Sequence, residues 1–203
     1  MDIRYLGTEY GGWSVDLDLL NHGDLIIDAG LGEGVSFIDE LNHHKEIKVI
    51  GIDPTEKSHR YVEQRGIENP ELIKAAIGKF GQDKIEIFKN NNPEHVSESC
   101  YADHASTLGM ESYFIDCISF KDLISKYSPA LIKMDIEGAE YEVLRECVGV
   151  KQICVEFHHH CIPSKTKADT EACIQFMMDR GYKIISIAHD REYTIVLEND
   201  TNV

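Results

Sequence analysis

Asp24-Leu-Ile-Ile-Asp-Ala-Gly-Leu-Gly-Glu-Gly34 carries the transition on which the fold turns. Its first seven residues, Asp24–Gly30, are a short apolar run that reads as a strand buried on both faces. Glycines at 30, 32 and 34 then allow a tight turn with positive φ and let a ligand approach the backbone. Gly34–His44 places Val35, Phe37, Ile38 and Leu41 on one side, the spacing of a helix. Strand, glycine turn and helix in that order mark an α/β fold.

Outward from this unit the alternation continues. Lys48–Asp53 reads as a second strand, Glu56–Arg65 as a helix and Leu72–Ile77 as a third strand, with Lys84–Lys89 a hairpin-type addition to it. Asn90–Ser112, with its Asn run, Pro93 and few large apolar groups, is either a disordered excursion or a binding loop. Order returns with a strand at Tyr113–Cys117 and a helix Phe120–Tyr127 closed by Pro129. A strand Ala130–Ile136, a helix Ala139–Cys147 and a strand Gln152–His158 follow. A helix Thr166–Arg180 ends at Gly181, as expected of a C-cap glycine. Tyr182–Ala188 and Tyr193–Glu198 are strands joined by a turn so short that they must pair antiparallel. Strands alternating with helices predict a doubly wound, mostly parallel sheet. Without repeats or linkers, residues 1–203 read as one domain.

Charge narrows the partners. The chain of 203 residues carries a net −16, so nucleic acid and anionic membrane surfaces are disfavoured. No apolar run is long enough to span a bilayer, and the first 18 residues lack the apolar core of a signal peptide. Six cysteines without a Cys-x-x-Cys pair match no zinc template and fit a reducing compartment. Cys117, Cys147, Cys154 and Cys173 fall in apolar runs, where a free thiol behaves as a small buried hydrophobe. A cytoplasmic location is the expectation.

Three clusters carry chemistry. In Asp28-Ala-Gly30-Leu-Gly32-Glu-Gly34 the spacing is Gly-x-Gly-x-Gly, not the longer dinucleotide fingerprint. Asp53 ends the second strand 19 residues after Gly34, where an acid grips ribose hydroxyls in nucleotide-binding α/β domains. Asp135 and Glu137 flank the carboxyl end of a buried strand, where open α/β sheets bind ligands. Glu140 and Glu142 read as complements of a helix N-terminus. Glu156 and His158 share one face at the end of the next strand, with Phe157 and His159 on the other. His158 is a candidate general base with Glu156 orienting it. A divalent ion on Asp135, Glu137 and His158 is the lesser alternative, and a solvated His158–His160 strand end the plain one.

YGGW at Tyr10–Trp13, the glycine loop, GIDP at Gly51–Pro54, LIKMDIEGAEYEVL at Leu131–Leu144, CVEFHHH at Cys154–His160 and EYTIV at Glu192–Val196 occur in this order. Together they resemble the FkbM-like methyltransferases, a branch of the S-adenosylmethionine-dependent enzymes. The glycine loop departs from the Asp-x-Gly-Ala-Asn form common in the wider family. The resemblance implies a seven-stranded, Rossmann-like class I methyltransferase sheet with a C-terminal antiparallel hairpin. It also implies O-methylation of a sugar, glycolipid or secondary metabolite, with S-adenosylmethionine as cofactor and a small-molecule or glycan acceptor as partner. On that reading Asp28, Gly30, Gly32 and Gly34 meet the methionine portion and Asp53 with Pro54 the ribose. Ala76 and Ile77 pack on adenine, and Asp135 and Glu137 lie near the sulfonium. A nicotinamide-dependent oxidoreductase and a non-catalytic nucleotide-binding module share the fold and stay open.

Overall fold

A computed structural model describes residues 1–33, 35–65 and 70–198. Three strands, β3 (Leu25–Ala29) and β4 (Lys48–Ile52), each buried over four of five residues, and the more exposed edge strand β5 (Glu71–Ile73), run parallel. The chain opens before them with a two-stranded antiparallel ribbon, β1 (Ile3–Leu6) and β2 (Trp13–Asp16). β9 (Leu131–Met134) and β10 (Gln152–Glu156) extend the sheet on the far side of β3, still parallel. The last two strands, β11 (Tyr182–Ala188) and β12 (Glu192–Leu197), complete seven in the order β11-β12-β10-β9-β3-β4-β5. β12 lies antiparallel to both β10 and β11, as the short connection requires.

Alternation along the strands feeds a core on each face. Ile27, Ala29, Ile50, Ile52, Ile132, Met134, Ile153 and Val155 meet Phe120 and Leu123 of α3 (Phe120–Tyr127) and Ile174 and Met177 of α5 (Lys167–Met178). Ile26, Val49, Leu131 and Cys154 face the other way, onto Phe37, Ile38 and Leu41 of α1 (Ser36–His44). Leu6, Trp13 and Val15 of the N-terminal ribbon seal that second core. The sequence reading missed this ribbon, because its four-residue strands are too short to show a period.

Other departures follow from local chemistry. Leu72–Ile77 is not one strand. Ala75 N–H donates to the Ile73 carbonyl at 3.1 Å, a turn that takes the chain out of the sheet, and β6 (Ala76–Ile77) joins a separate small sheet. β7 (Lys84–Phe88) pairs with β8 (Ser112–Ile118) and not with the third strand. The helix expected at Ala139–Cys147 is the short α4 (Glu140–Val143) followed by a 3-10 turn, Leu144–Cys147. Glu56–Arg65 is helix α2, as expected. Thr166 caps α5 reciprocally with Asp169, and Gly181 takes φ +87° just beyond its end. All six cysteines are free thiols; Cys117 is half-buried instead of part of the core.

Candidate active site

The chain reverses direction across the sheet between β3 and β9, and ligands of open α/β sheets bind outside the carboxyl ends at such a switch point. Gly30 leaves β3 with φ +80°, and a Cβ there would overlap the Asp135 carbonyl. The close backbone approach of the two strand ends therefore demands glycine at 30. Gly32 has φ +61° and nothing within 4 Å of where its Cβ would stand, so its turn faces open space. Gly34 lies outside the described residues. Asp53, buried after β4, holds the turn: Oδ2 accepts from Leu31 N–H at 3.0 Å, and Oδ1 accepts from the Thr55 N–H and hydroxyl at 2.8 and 2.6 Å.

These residues wall a cavity of about 380 Å³, inside the range of about 300–1,000 Å³ typical of small-molecule sites. Asp53, Gly30, Gly32, Pro54, Ala76 and Ile77 line it together with Ile52, Ile85 and Ile87. Asp28 does not reach it. It is buried behind the loop, 3.2 Å from Lys133 Nζ, and Lys133 also donates to the Gly30 carbonyl. Asp28 lines a smaller hollow with Gly30, Gly32 and Asp135, and through Lys133 it braces the glycine turn.

A second, more open cavity of about 980 Å³ meets the first at Asp135 and Glu137. His158, Glu156 and Arg191 line it, and so do Asn90–Asn92 and His104–Ser106 of the irregular segment. That segment is therefore a cavity-lining loop. The sheet brings Asp135, Glu137 and His158 together: His158 Nε2 lies 3.5 Å from Asp135 Oδ1 and 3.4 Å from Glu137 Oε2. Glu137 sits in the left-handed region at φ +53°, a conformation that costs a non-glycine residue free energy and gathers at functional sites. Its Oε2 is 3.1 Å from His104 Nε2, and its carbonyl accepts from the Ser99 hydroxyl at 2.5 Å.

Two expectations for His158 change here. Glu140, wholly buried, takes His158 Nδ1 at 2.5 Å, while Glu156 accepts from Arg191 Nε at 2.8 Å. Glu140, not Glu156, orients the ring. Burial works against a charged imidazole, but Glu140, Glu137 and Asp135 outweigh it and raise the pKa to about 10. A ring that keeps its proton to that pH is not a free general base at neutrality. Burial likewise works to raise Glu137, yet the His104 hydrogen bond and the His158 charge hold it low. Burial pushes Asp135 up, against the pull of Lys133. Glu137 also leaves the expected ion-binding trio. Among the described residues, the donor atoms that lie within 4.8 Å of one another belong to Asp135, Glu156 and His158. His158 is 4% exposed and His159, half-buried, bonds Thr170, so of the histidine run only His160 stands in solvent.

His104, Glu140, Arg191 and Tyr10, the last lining both cavities, escaped the sequence reading as site residues. Glu140 carried a signal, standing three residues after Glu137 on a helix start whose N–H groups attract carboxylates. His104 and Arg191 carried none, since each reaches the cluster from a loop distant in sequence.

The topology is that of a Rossmann-like class I methyltransferase sheet. Residues 28–184 match the methyltransferase FkbM domain, so the chain belongs to that family of S-adenosylmethionine-dependent methyltransferases. No curated protein sequence matches it. Among solved structures, a fibrillarin/Nop5p complex is 12% identical over 87% of this chain and 72% of that one, with TM-score 0.50. Precorrin-6y C5,15-methyltransferase from Geobacter metallireducens GS-15 is 12% identical, over 88% and 82%, at 0.49. An rRNA methylase from Streptococcus thermophilus is 12% identical, over 89% and 91%, at 0.46. At 12% identity the likeness to the fibrillarin complex is one of fold alone. No helix among the described residues is long and apolar enough to cross a membrane.

Proposed function

We propose that the chain binds S-adenosylmethionine in the smaller cavity and methylates a hydroxyl oxygen of a small-molecule or glycan acceptor held in the larger one. The observation that carries this reading is the meeting of the two cavities at Asp135 and Glu137. The smaller joins aliphatic side chains and a glycine turn to Asp53 and Glu98, and the larger adds Glu156, His158 and Arg191.

S-adenosylmethionine, when bound, supplies a methyl group already activated by its sulfonium. The protein's share is alignment and exclusion of water. Pro54, Ala76 and Ile77, with Ile52, Ile85 and Ile87, give the adenine an apolar slot. Asp53 faces the ribose, with the second acceptor site of Oδ2 left over after its bond to Leu31. Gly30 and Gly32 present backbone to the methionine portion, and the Asp28–Lys133 pair holds that backbone in place. Asp135 and Glu137 favour positive charge where the cavities join. On the acceptor side they take the hydrogen bond of the attacking hydroxyl. His158, charged and tied to Glu140, positions both carboxylates. The net charge of −16 supports a small neutral or cationic acceptor over nucleic acid.

The test is thermal shift with S-adenosylmethionine, its demethylated product and NAD, followed by methyl-release assays on hydroxylated acceptors. Stabilisation by the first two, and not by NAD, is expected, because a ligand stabilises the state it binds. Stabilisation by NAD alone would sink the reading in favour of an oxidoreductase. Cofactor binding without methyl release to any acceptor would leave a binding module.

A further inference from the structure

The floor of the larger cavity holds more negative charge than its own cations balance. Glu9, Asp135, Glu137, Glu156 and Glu192 line it, against Arg191 and the charged ring of His158. Lys133 lies 3.2 Å from Asp28 and 3.9 Å from Asp135, and Arg191 lies 2.8 Å from Glu156. Within this group one oxygen each from Asp135 and Glu156 and one nitrogen of His158 lie within 4.8 Å of one another. Atoms bound about 2.0–2.6 Å from one ion stand at most about 5 Å apart, so the three are already near a shared coordination sphere.

The imidazole adds the second observation. Its side chain is 5% exposed, and Nε2 points at the carboxylates of Asp135 and Glu137 without making a hydrogen bond. Nδ1 is held at 2.5 Å by Glu140, a residue that is no part of the trio. A histidine fixed through one nitrogen by a buried carboxylate, with the other nitrogen aimed at further carboxylates, is the arrangement that metal sites use to set the ligating tautomer. Glu140 itself is anchored by the Gly138 N–H at 2.8 Å. The ligand atom is thereby positioned from behind.

We propose that Asp135, Glu156 and His158 bind a divalent cation that holds the acceptor, with Glu140 as the positioning residue for His158. Two carboxylates and one imidazole form a donor set between those favoured by Mg2+ and by Zn2+, and Mn2+ suits both ligand types. Three protein ligands leave positions of a six-coordinate ion open toward the cleft. An acceptor bearing two adjacent oxygens, a vicinal diol or a hydroxyl beside a carbonyl, fills two of them. Coordination lowers the pKa of the bound hydroxyl, whose proton leaves to water in the open cleft. Binding of the ion also displaces the proton from His158 Nε2. The acceptor role rests on the methyltransferase reading; the ion site stands independently of it.

Titration of the metal-stripped protein with Mn2+ alone, followed by electron paramagnetic resonance, tests the site without cofactor or acceptor. One ion per chain is expected. Glu156→Gln and His158→Gln should each weaken binding at least 10-fold, while Glu171→Gln, an exposed acid on α5, should not. Circular dichroism checks folding, and Glu156→Gln, at the end of its strand, serves if the His158 variant fails to fold. Absence of binding, or an adventitious ion whose affinity neither variant alters, overturns the site. Methyl release undiminished in the stripped protein overturns the acceptor role and leaves methyl transfer intact. Tight Mn2+ binding in a protein that S-adenosylmethionine does not stabilise supports the site and sinks the methyltransferase reading instead.

Discussion

His158 Nδ1 and Glu140 Oε1 lie 2.5 Å apart, joining the end of β10 to the first residue of α4 in a site where neither side chain meets bulk water. A buried pair of this kind is costly to break, because the survivor keeps its charge without a partner.

Glu140→Ala should therefore destabilise the protein by about 3–5 kcal/mol, a fall in Tm of roughly 10 °C for a chain of this size. It strands His158 Nδ1 and the Gly138 N–H. Glu140→Gln, which keeps one acceptor oxygen, should lose less than half as much. Differential scanning calorimetry of both variants is the measurement. An alanine variant within about a degree of the parent protein would show that the pair contributes nothing.

Asp53→Ala should weaken S-adenosylmethionine binding about 10- to 100-fold, the equivalent of a lost charge-assisted hydrogen bond of about 1.5–3 kcal/mol. Part of the effect acts through the glycine turn, since Asp53 also fixes Leu31 N–H at 3.0 Å. Isothermal calorimetry on a folded variant decides it. Unaltered affinity removes Asp53 from the ribose.

The two described loop glycines should fail in different ways. Gly30→Ala drives a methyl into the Asp135 carbonyl at a backbone φ of +80°, so the sheet itself must shift and soluble folded protein should be scarce. Gly32→Ala meets open space and costs only about 1–2 kcal/mol for its left-handed backbone. It should fold and yet bind S-adenosylmethionine poorly, because its Cβ enters the cavity. Expression yield, circular dichroism and calorimetry separate the two, and equal behaviour would contradict the geometry.

Cys100 lines the smaller cavity, and burial pushes its thiol up to about 12. The thiolate is the reactive form, so at pH 8 alkylation by iodoacetamide should be far slower than for a free thiol. With a raised pKa the thiolate fraction keeps growing as pH climbs, so the rate should still be increasing at pH 10. S-adenosylmethionine should slow it further by filling the cavity. Peptide mapping by mass spectrometry reads the rate at this residue. Fast labelling at pH 8 that the cofactor leaves unchanged would contradict both the burial and the occupancy.

Much of the fold was legible because it is locally encoded. β3 and β4 announce themselves as β-branched runs too short for helices, and the glycines after Ala29 can only be a turn. The amphipathic spacing of Phe37, Ile38 and Leu41 is helical whatever surrounds it. The β11–β12 pairing follows from the length of its turn. In contrast, β1 and β2 carry too few residues to show a period, and the kink after Ile73 depends on a backbone hydrogen bond that no side chain signals.

The sequence alone determined the alternation of the central strands and helices, the turn that opens the smaller cavity and the strand ends that carry Asp53, Asp135 and His158. Those features depend on periodicity and on residues adjacent in the chain. Only the tertiary structure decided which partners those side chains take. Glu140 over Glu156 for His158, Arg191 for Glu156, His104 for Glu137 and Lys133 for Asp28 are choices made across 18 to 105 residues of chain. The reason is physical: a chain with 36 acidic residues offers many equivalent carboxylates, and burial distinguishes them only once the sheet has brought a few within hydrogen-bond reach.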